Sequence, residues 1–352
     1  MKPDWLLVET LGAEPVVVAE GPHTRNLIPI STFLRRNHNL MAVQSAIGET
    51  VRGGQPLTSI TPKNKRVIRT EVVQMSDGKI HGVHLWIGPP DEEPPERIVP
   101  GALVWDLTHG VATDTPESLA NNGLNPETES THDRTFAEDL PSRDLSPTEA
   151  RVVSAIIKPT VGDAYCGSRD LINFRGAPIA VGYVARVLTE TGENSEDIVV
   201  VRAMNWPTVH AEPPSGPDDD PSGVVNGMTE PGVYRALVDL TTWRLLKWLD
   251  EPCPYYDWHG NTEGRPVLHP GDAGQFKGLT ADSAEDPPSV AVRLRAGRTS
   301  ENTCVDDAGE WAWVHVTAHR VELTQGIYAA LLVLRLPTDE EVAAATGRVA
   351  RD

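Results

Sequence analysis

The sequence predicts an α+β protein of three tandem domains, each an antiparallel β-sheet flanked by helices. Three observations carry this reading. Two stretches rich in proline and acid, GPPDEEPPERIVPG (88–101) and HAEPPSGPDDDPSG (210–223), divide the 352 residues into three pieces of domain size. Each piece repeats one order of signals: two strands, helices, then three strands. And GEWAWVHVTAHRVEL (309–323) alternates strictly, with Trp311, Trp313, His315 and His319 at odd positions and Ala312, Val314, Val316 and Ala318 at even ones. A period of two is the mark of a β-strand with two unlike faces.

The boundaries that follow are 1–90, a linker at 91–100, 101–209, a linker at 210–229, and 230–352. Proline cannot donate to a sheet and like charges keep a segment extended, so both linkers are expected to hold their neighbours apart. The first piece opens DWLLVETLGAEPVVVAEG, two β-prone runs around a turn. Ser31 is placed to cap a helix, and LMAVQSAIGETV (40–51) has helical spacing before Gly53-Gly54 ends it. MSDGKIHGVHLWIGPP closes the piece, with Asp77-Gly78 as a hairpin turn. The second piece opens GALVWDLTHGVATDTPES. Ser146, Pro147 and Glu149 then mark a helix start with a capping-box Glu. FRGAPIAVGYVARVL and IVVVRAMNWP close it. The third piece opens YRALVDLTTWRLLKWLDEP, passes His269-Pro270-Gly271-Asp272 with Asp272 as expected cap, and closes with the alternating strand, a turn at Thr324-Gln325-Gly326, and IYAALLVLRLP.

Bulk properties narrow the function. Lys plus Arg number 31 against 50 Asp plus Glu, a formal charge of -19. Such a surface repels phosphate backbones and anionic lipid, so nucleic acid is not expected as a partner. Three cysteines, Cys166, Cys253 and Cys304, lie far apart, which argues against a disulfide framework and fits a reducing cytoplasm. The N-terminus lacks a continuous apolar run, and Ile327–Leu334 is far short of the ~20 residues that span a bilayer, so neither secretion nor membrane insertion is expected.

The strand pair, helical middle and three-stranded close resemble the PAS/GAF sensor-domain pattern. The phrases DWLLVETLGAEPVVVAEG, SITPKNKRVIRTEVVQMSDGKIHGVHLWIGPP, FAEDLPSRDL, RALVDLTTWRLLKWLDEPCPYYDW and GEWAWVHVTAHRVEL resemble a mycobacterial triple-sensor protein family. The resemblance implies three tandem PAS/GAF-like domains of PAS–GAF–PAS type: PAS-like at 1–90, GAF- or PAS-like at 101–209, and PAS-like at 230–352. It implies a sensing or signalling role and brings no catalytic residues with it. No kinase, cyclase or DNA-binding module follows the third piece, so output is expected to pass through another protein.

No catalytic signature appears: there is no G-x-S-x-G, G-x-x-x-x-G-K-[ST], C-x-x-C or H-E-x-x-H. His315 and His319 share a strand face but stand about 13 Å apart along it, too far to share one metal. His81 and His84, three apart, are expected on opposite faces. The consecutive Asp218, Asp219 and Asp220 do not fit a calcium loop. Cys166 reads as a small buried residue, Cys253 as packed under Tyr255, Tyr256 and Trp258, and Cys304 as a polar-loop thiol. The candidates for a ligand pocket or interface are Trp311, Trp313, His315, His319, Trp105 and Cys166, with packing under a helix or neighbouring domain expected for the tryptophan–histidine face. No cofactor is required by the sequence. The functional expectation is a non-catalytic, cytoplasmic sensory protein that binds a small molecule, a protein partner or both. The alternatives are a docking scaffold with filled pockets, a haem or flavin sensor, and an enzyme with an unrecognised site around His269, Trp313 and His315.

Overall fold

A computed structural model describes residues 4–61, 65–140, 143, 145–192, 194–209, 230–261, 266–277, 288–297 and 310–349. The linker at 210–229, with Asp218–Asp220, and Cys304 lie outside these residues. The described chain forms three antiparallel sheets with few helices, and each sheet has its first strand beside its last. The chain divides into two compact units, the first comprising 1–108, 112–132 and 160–216, the second 109–111, 133–159 and 217–352.

The first unit holds two sheets. Strands β1 (Leu6–Glu9), β2 (Val16–Glu20), β3 (His23–Pro29), β4 (Leu57–Ile60), β5 (Val67–Gln74) and β6 (Ile80–Gly88) form one, in the order β3-β2-β1-β6-β5-β4. Helix α1 (Ile30–Phe33) is a single turn. Ser31 lies inside it rather than at its cap, because Pro29 takes the cap position and the Ser31 hydroxyl donates to Glu14 at 2.5 Å. Helix α2 (Leu40–Gly53) ends as the sequence indicates, at Gly54 in the left-handed region with φ 62°. Its Val43, Ala46 and Ile47 pack on Val8, Val17, Ile68, Val83 and Leu85.

The second sheet has strands β7 (Gly101–Asp106), β8 (Val111–Asp114), β9 (Ala164–Ile172), β10 (Pro178–Thr191) and β11 (Asp197–Pro207), ordered β8-β7-β11-β10-β9, with helix α3 (Pro116–Asn121) against β7 and β11. Its Ala102, Val184, Met204 and Trp206 share one core with Leu7, Val18, Ala19, Val73 and Met75 of the first sheet. The linker at 91–100 therefore does not hold these sheets apart. It lies along the first sheet, with Trp5 donating to the Pro95 carbonyl at 2.8 Å and Arg69 paired with Glu93. The approach is close enough that a Cβ on Gly82 would stand 2.6 Å from Met204 Sδ and from the Val8 carbonyl.

Charges clamp the same interface. Arg186 and Arg202 are register partners on β10 and β11. Arg186 makes two hydrogen bonds to the buried Glu9, at 2.9 and 3.0 Å. Arg202 donates to Glu190 and to Asp77, and contacts His81 Nε2 at 3.1 Å. Such forked pairs are strong because geometry and charge act together. A register shift between Val73 and Gln74 breaks the alternation of β6. His81 and His84 consequently do not take opposite faces. His81 meets the Ala203 carbonyl of the second sheet, and His84 sits opposite Leu7, which packs in the shared core.

The second unit contains the third sheet, with β12 (Val233–Val238), β13 (Leu245–Trp248), β14 (Ser289–Arg295), β15 (Trp311–Thr324) and β16 (Ile327–Arg335) in the order β13-β12-β16-β15-β14. Helices α4 (Phe136–Asp139) and α5 (Pro147–Ile157) precede this sheet in sequence with β9 to β11 in between, yet pack with it: α4 on β13, α5 on β15 and β16. Ser146 caps α5 as expected, its side chain accepting from the Glu149 N–H. The Glu149 carboxylate does not complete a capping box, because it pairs at 3.2 Å with the fully buried Lys247 of β13. The capping box forms one helix earlier, at Thr135 and Glu138.

Two outcomes follow. Glu149→Ala leaves a buried ammonium without that carboxylate and should cost the second unit about 3 kcal/mol, measured by urea unfolding, whereas Glu149→Leu with Lys247→Met should recover most of the loss. In the first unit, burial, aided by Arg202, holds His81 down at about 4, and burial, then Arg97, holds His84 at about 3. The unfolded chain takes up those protons near pH 6.5, so folding stability falls as pH drops below 6.5 and keeps falling toward 3. Burial works to raise Glu190, but Arg202 and Lys79 overcome it and hold the group at about 2, adding a further loss below pH 4.5. Urea unfolding should show a loss of ~2 kcal/mol per histidine between pH 7 and 5, and His84→Leu should remove its share.

Candidate functional site

The third sheet presents two unlike faces because β15 alternates. On the even face, Val314, Val316 and Ala318 join Val238, Leu245, Leu294, Leu332 and Leu334 in one apolar core. Part of that face is not filled. A cavity of about 380 Å³ lies over Val238, Leu245, Leu294, Val316, Leu332 and Leu334, and is roofed by Thr242, Trp243, Tyr256, Pro266, Val267, Leu268 and Ala273. The volume falls within the range of small-molecule sites.

The roof is stitched to the edge strand β14. Leu268 bridges Leu294, Tyr256 bridges Ala296, and the Arg295 N–H donates to the Val267 carbonyl at 2.8 Å. Asp272 is buried and does not act as a helix cap. Its carboxylate accepts three hydrogen bonds from Arg293, at 2.8, 3.0 and 2.7 Å, while His269 caps the turn of Pro270–Asp272 by accepting from the Gly271 N–H. Helix α6 (Ala273–Lys277) follows and brings Ala273 to the wall. Trp243 holds a left-handed backbone, φ 57°, with its N–H on the Asp239 carbonyl.

Among the described wall residues none carries a formal charge, and polar side chains are few. Thr242 donates to Asp239 at 2.8 Å. Tyr256 packs against Trp248, with ring centroids 6.2 Å apart, and its hydroxyl has no hydrogen-bond partner among the described residues. Burial, with Cys253 nearby, pushes its phenol well above the usual range. Burial also pushes the Cys253 thiol up to about 12. Cys253 packs with Tyr255, Tyr256 and Trp258 as the sequence indicates.

The residues singled out in sequence stand across the sheet from this cavity. Trp313 packs on Ala291 and on Val342 and Ala345 of helix α7 (Asp339–Val349). His315 Nε2 lies 3.2 Å from Glu341, which Arg335 holds down at about 2; burial and then Arg335 lower His315 itself. His319 shares a row with Leu331, Leu237 and Lys247, on the side where Glu149 of α5 meets the sheet. Trp311 and Trp313 take Arg295 and Arg293 over their rings at 4.9 and 5.2 Å, so they steady the two arginines of the edge strand that anchors the roof.

The other two candidates lie in the first unit. Trp105 is buried on β7 opposite Val201. Cys166 packs at the core shared by the first two sheets, donates to the Arg25 carbonyl at 3.2 Å, and is pushed up to about 12 by burial. No cluster of His, Cys, Asp and Glu among the described residues could hold a metal ion, and no described helix is long and apolar enough to cross a membrane. The cavity walls were missed in sequence because Val, Leu and Ala at alternate positions read as ordinary core. The one local signal was Tyr256 in the rigid DEPCPYYDW loop.

Three family models cover the chain in order: Rv3651-like N-terminal at 4–96, Rv3651-like middle domain at 99–208, and Rv3651-like C-terminal domain at 218–345. The chain belongs to the Rv3651-like family. A crystal structure of an uncharacterised Mycobacterium tuberculosis protein is similar to this Rv3651-like chain along nearly its whole length. The two share 50% identity with a TM-score of 0.86, over 97% of this chain and 99% of that one. An RNA-binding light-oxygen-voltage receptor is 10% identical with a TM-score of 0.24, over 72% of this chain and 99% of that one. The periplasmic sensory domain of the Campylobacter jejuni chemoreceptor Tlp1 is 12% identical with a TM-score of 0.16, over 55% and 56%. Neither of these two carries an argument at such scores. Comparison with curated proteins gives no match.

With thiol values near 12, Cys166 and Cys253 should resist iodoacetamide in the native Rv3651-like protein at pH 8 and react readily in urea, as read by mass spectrometry of the two peptides.

Proposed function

We propose that this Rv3651-like protein is a non-catalytic sensory protein of three PAS/GAF-like domains, in which the C-terminal domain binds a small molecule and output passes through a separate protein. The carrying observation is the apolar cavity of about 380 Å³ between sheet and roof, whose described wall residues include no nucleophile–base pair and no charge. The plan of each domain supports the sensor reading: two opening strands (three in the first domain), helices, then a three-stranded meander whose last strand returns beside the first. A roof tied to one edge strand by a few hydrogen bonds is suited to report occupancy, since an occupant that touches floor and roof together biases the roof's position. The acidic surface supports a protein or small-molecule partner over nucleic acid.

A scaffold role is favoured for the first two domains by one observation. Their sheets spend the apolar face on each other, through Leu7, Val184, Met204 and Trp206.

The test is binding to the full chain. Neutral apolar compounds from a chemically diverse panel should raise the unfolding temperature of the second unit, and Leu332→Phe, which fills part of the cavity with tolerable repacking, should abolish the rise while preserving the fold. A panel without effect on the unmodified protein, or effects indifferent to Leu332→Phe, would remove the ligand from this account.

A further inference from the structure

Resting on the reading of this cavity as a ligand site, we infer that its occupant is a neutral, largely apolar small molecule bearing one hydrogen-bond acceptor, which the Tyr256 hydroxyl binds.

The argument runs through each wall group. Ten of the described wall residues are Val, Leu, Ala or Pro, and the other three, Thr242, Trp243 and Tyr256, are neither acidic nor basic. A charged ligand there would be desolvated with no opposite charge among the described wall residues, which is strongly unfavourable. The Thr242 hydroxyl is already engaged: it donates to Asp239 and accepts from the Arg244 N–H at 3.3 Å. Trp243 is not free to serve, having an interaction of its own. Tyr256 differs from both. Its ring is fixed by Trp248 on one side and by the aromatic loop around Cys253, yet its hydroxyl lacks a partner among the described residues. Tyr256 is half-buried in the cavity wall, and a ligand acceptor that reaches its hydroxyl gains a hydrogen bond in largely apolar surroundings. Burial also keeps the group protonated throughout the neutral range, so it acts as a donor. An apolar body therefore fills the cavity over Leu332, Leu334 and Val316, and a single carbonyl, ether or similar oxygen addresses Tyr256.

Three probes of nearly equal shape test this on the full chain by equilibrium dialysis at pH 8: 2-acetylnaphthalene, 2-ethylnaphthalene and 2-naphthoate. The ketone is expected to bind about 3- to 10-fold more tightly than the hydrocarbon, the worth of one neutral hydrogen bond. Tyr256→Phe should erase that preference while leaving 2-ethylnaphthalene affinity unchanged, which also shows that the variant is folded. The carboxylate should bind at least about 10-fold more weakly than the ketone. A ketone preference that survives Tyr256→Phe, or a carboxylate that matches the ketone, overturns the inference while the cavity stands as a binding site. If none of the three binds the unmodified chain, or if Leu332→Phe leaves their binding unchanged, the ligand reading itself fails and this inference falls with it.

Discussion

The two-residue period of strand β15 organises the second unit. It sends Val314, Val316 and Ala318 to one side and Trp311, Trp313 and His315 to the other, and both sides are then used. The aliphatic side lines a space. The aromatic side holds Arg293 and Arg295, through which the edge strand keeps the roof of that space in place, and it takes α7 as a cover. A single-residue slip of β15 would exchange its two faces, driving Trp313 and His315 into the apolar floor and turning Val314 and Val316 away from it. The cavity and its support are thus one consequence of one pattern.

The first unit solves a different problem. Strands β1 and β6 are buried on both faces, by α2 on one side and by the second sheet on the other. Apolar contact sets the distance between the sheets but leaves their sliding weakly specified. The forked pairs of Arg186 with Glu9 and Arg202 with Glu190 and Asp77 have directional geometry, and they fix which residues face each other. The neutral, desolvated His81 and His84 belong to the same interface.

Local elements were readable in the sequence because their signals are local. Gly54 stops α2, Asp77-Gly78 turns β5 into β6, Ser146-Pro147 starts α5, and the opening and closing strands recur three times. What was not readable depends on partners distant in the chain. A proline- and acid-rich linker cannot report whether the sheets it joins will meet, although the unbroken run Trp5–Val8 already hinted at burial on both faces. Asp272 and Glu149 sit where helix caps belong, and only the positions of Arg293 and Lys247 redirect their carboxylates. The bulge that reorients His81 leaves no mark in residue spacing. The two tryptophans visible in the sequence lie across the sheet from the cavity, and of its wall Tyr256 was noticed only as packing, since a cavity is defined by what is missing between ordinary aliphatic side chains.

The excursion of α4 and α5 has a bearing on biosynthesis. These helices leave the ribosome before any strand of the sheet they pack against, and all of β9 to β11 is made in between. Until β13, β15 and β16 emerge, Glu149 has no Lys247 and the apolar side of α5 has nothing to cover it. The nascent chain therefore carries that uncovered helical surface until the strands of the third sheet have been made. A gene fragment cut at the sequence boundary between the second and third domains would separate this pair of helices from the sheet on which they pack.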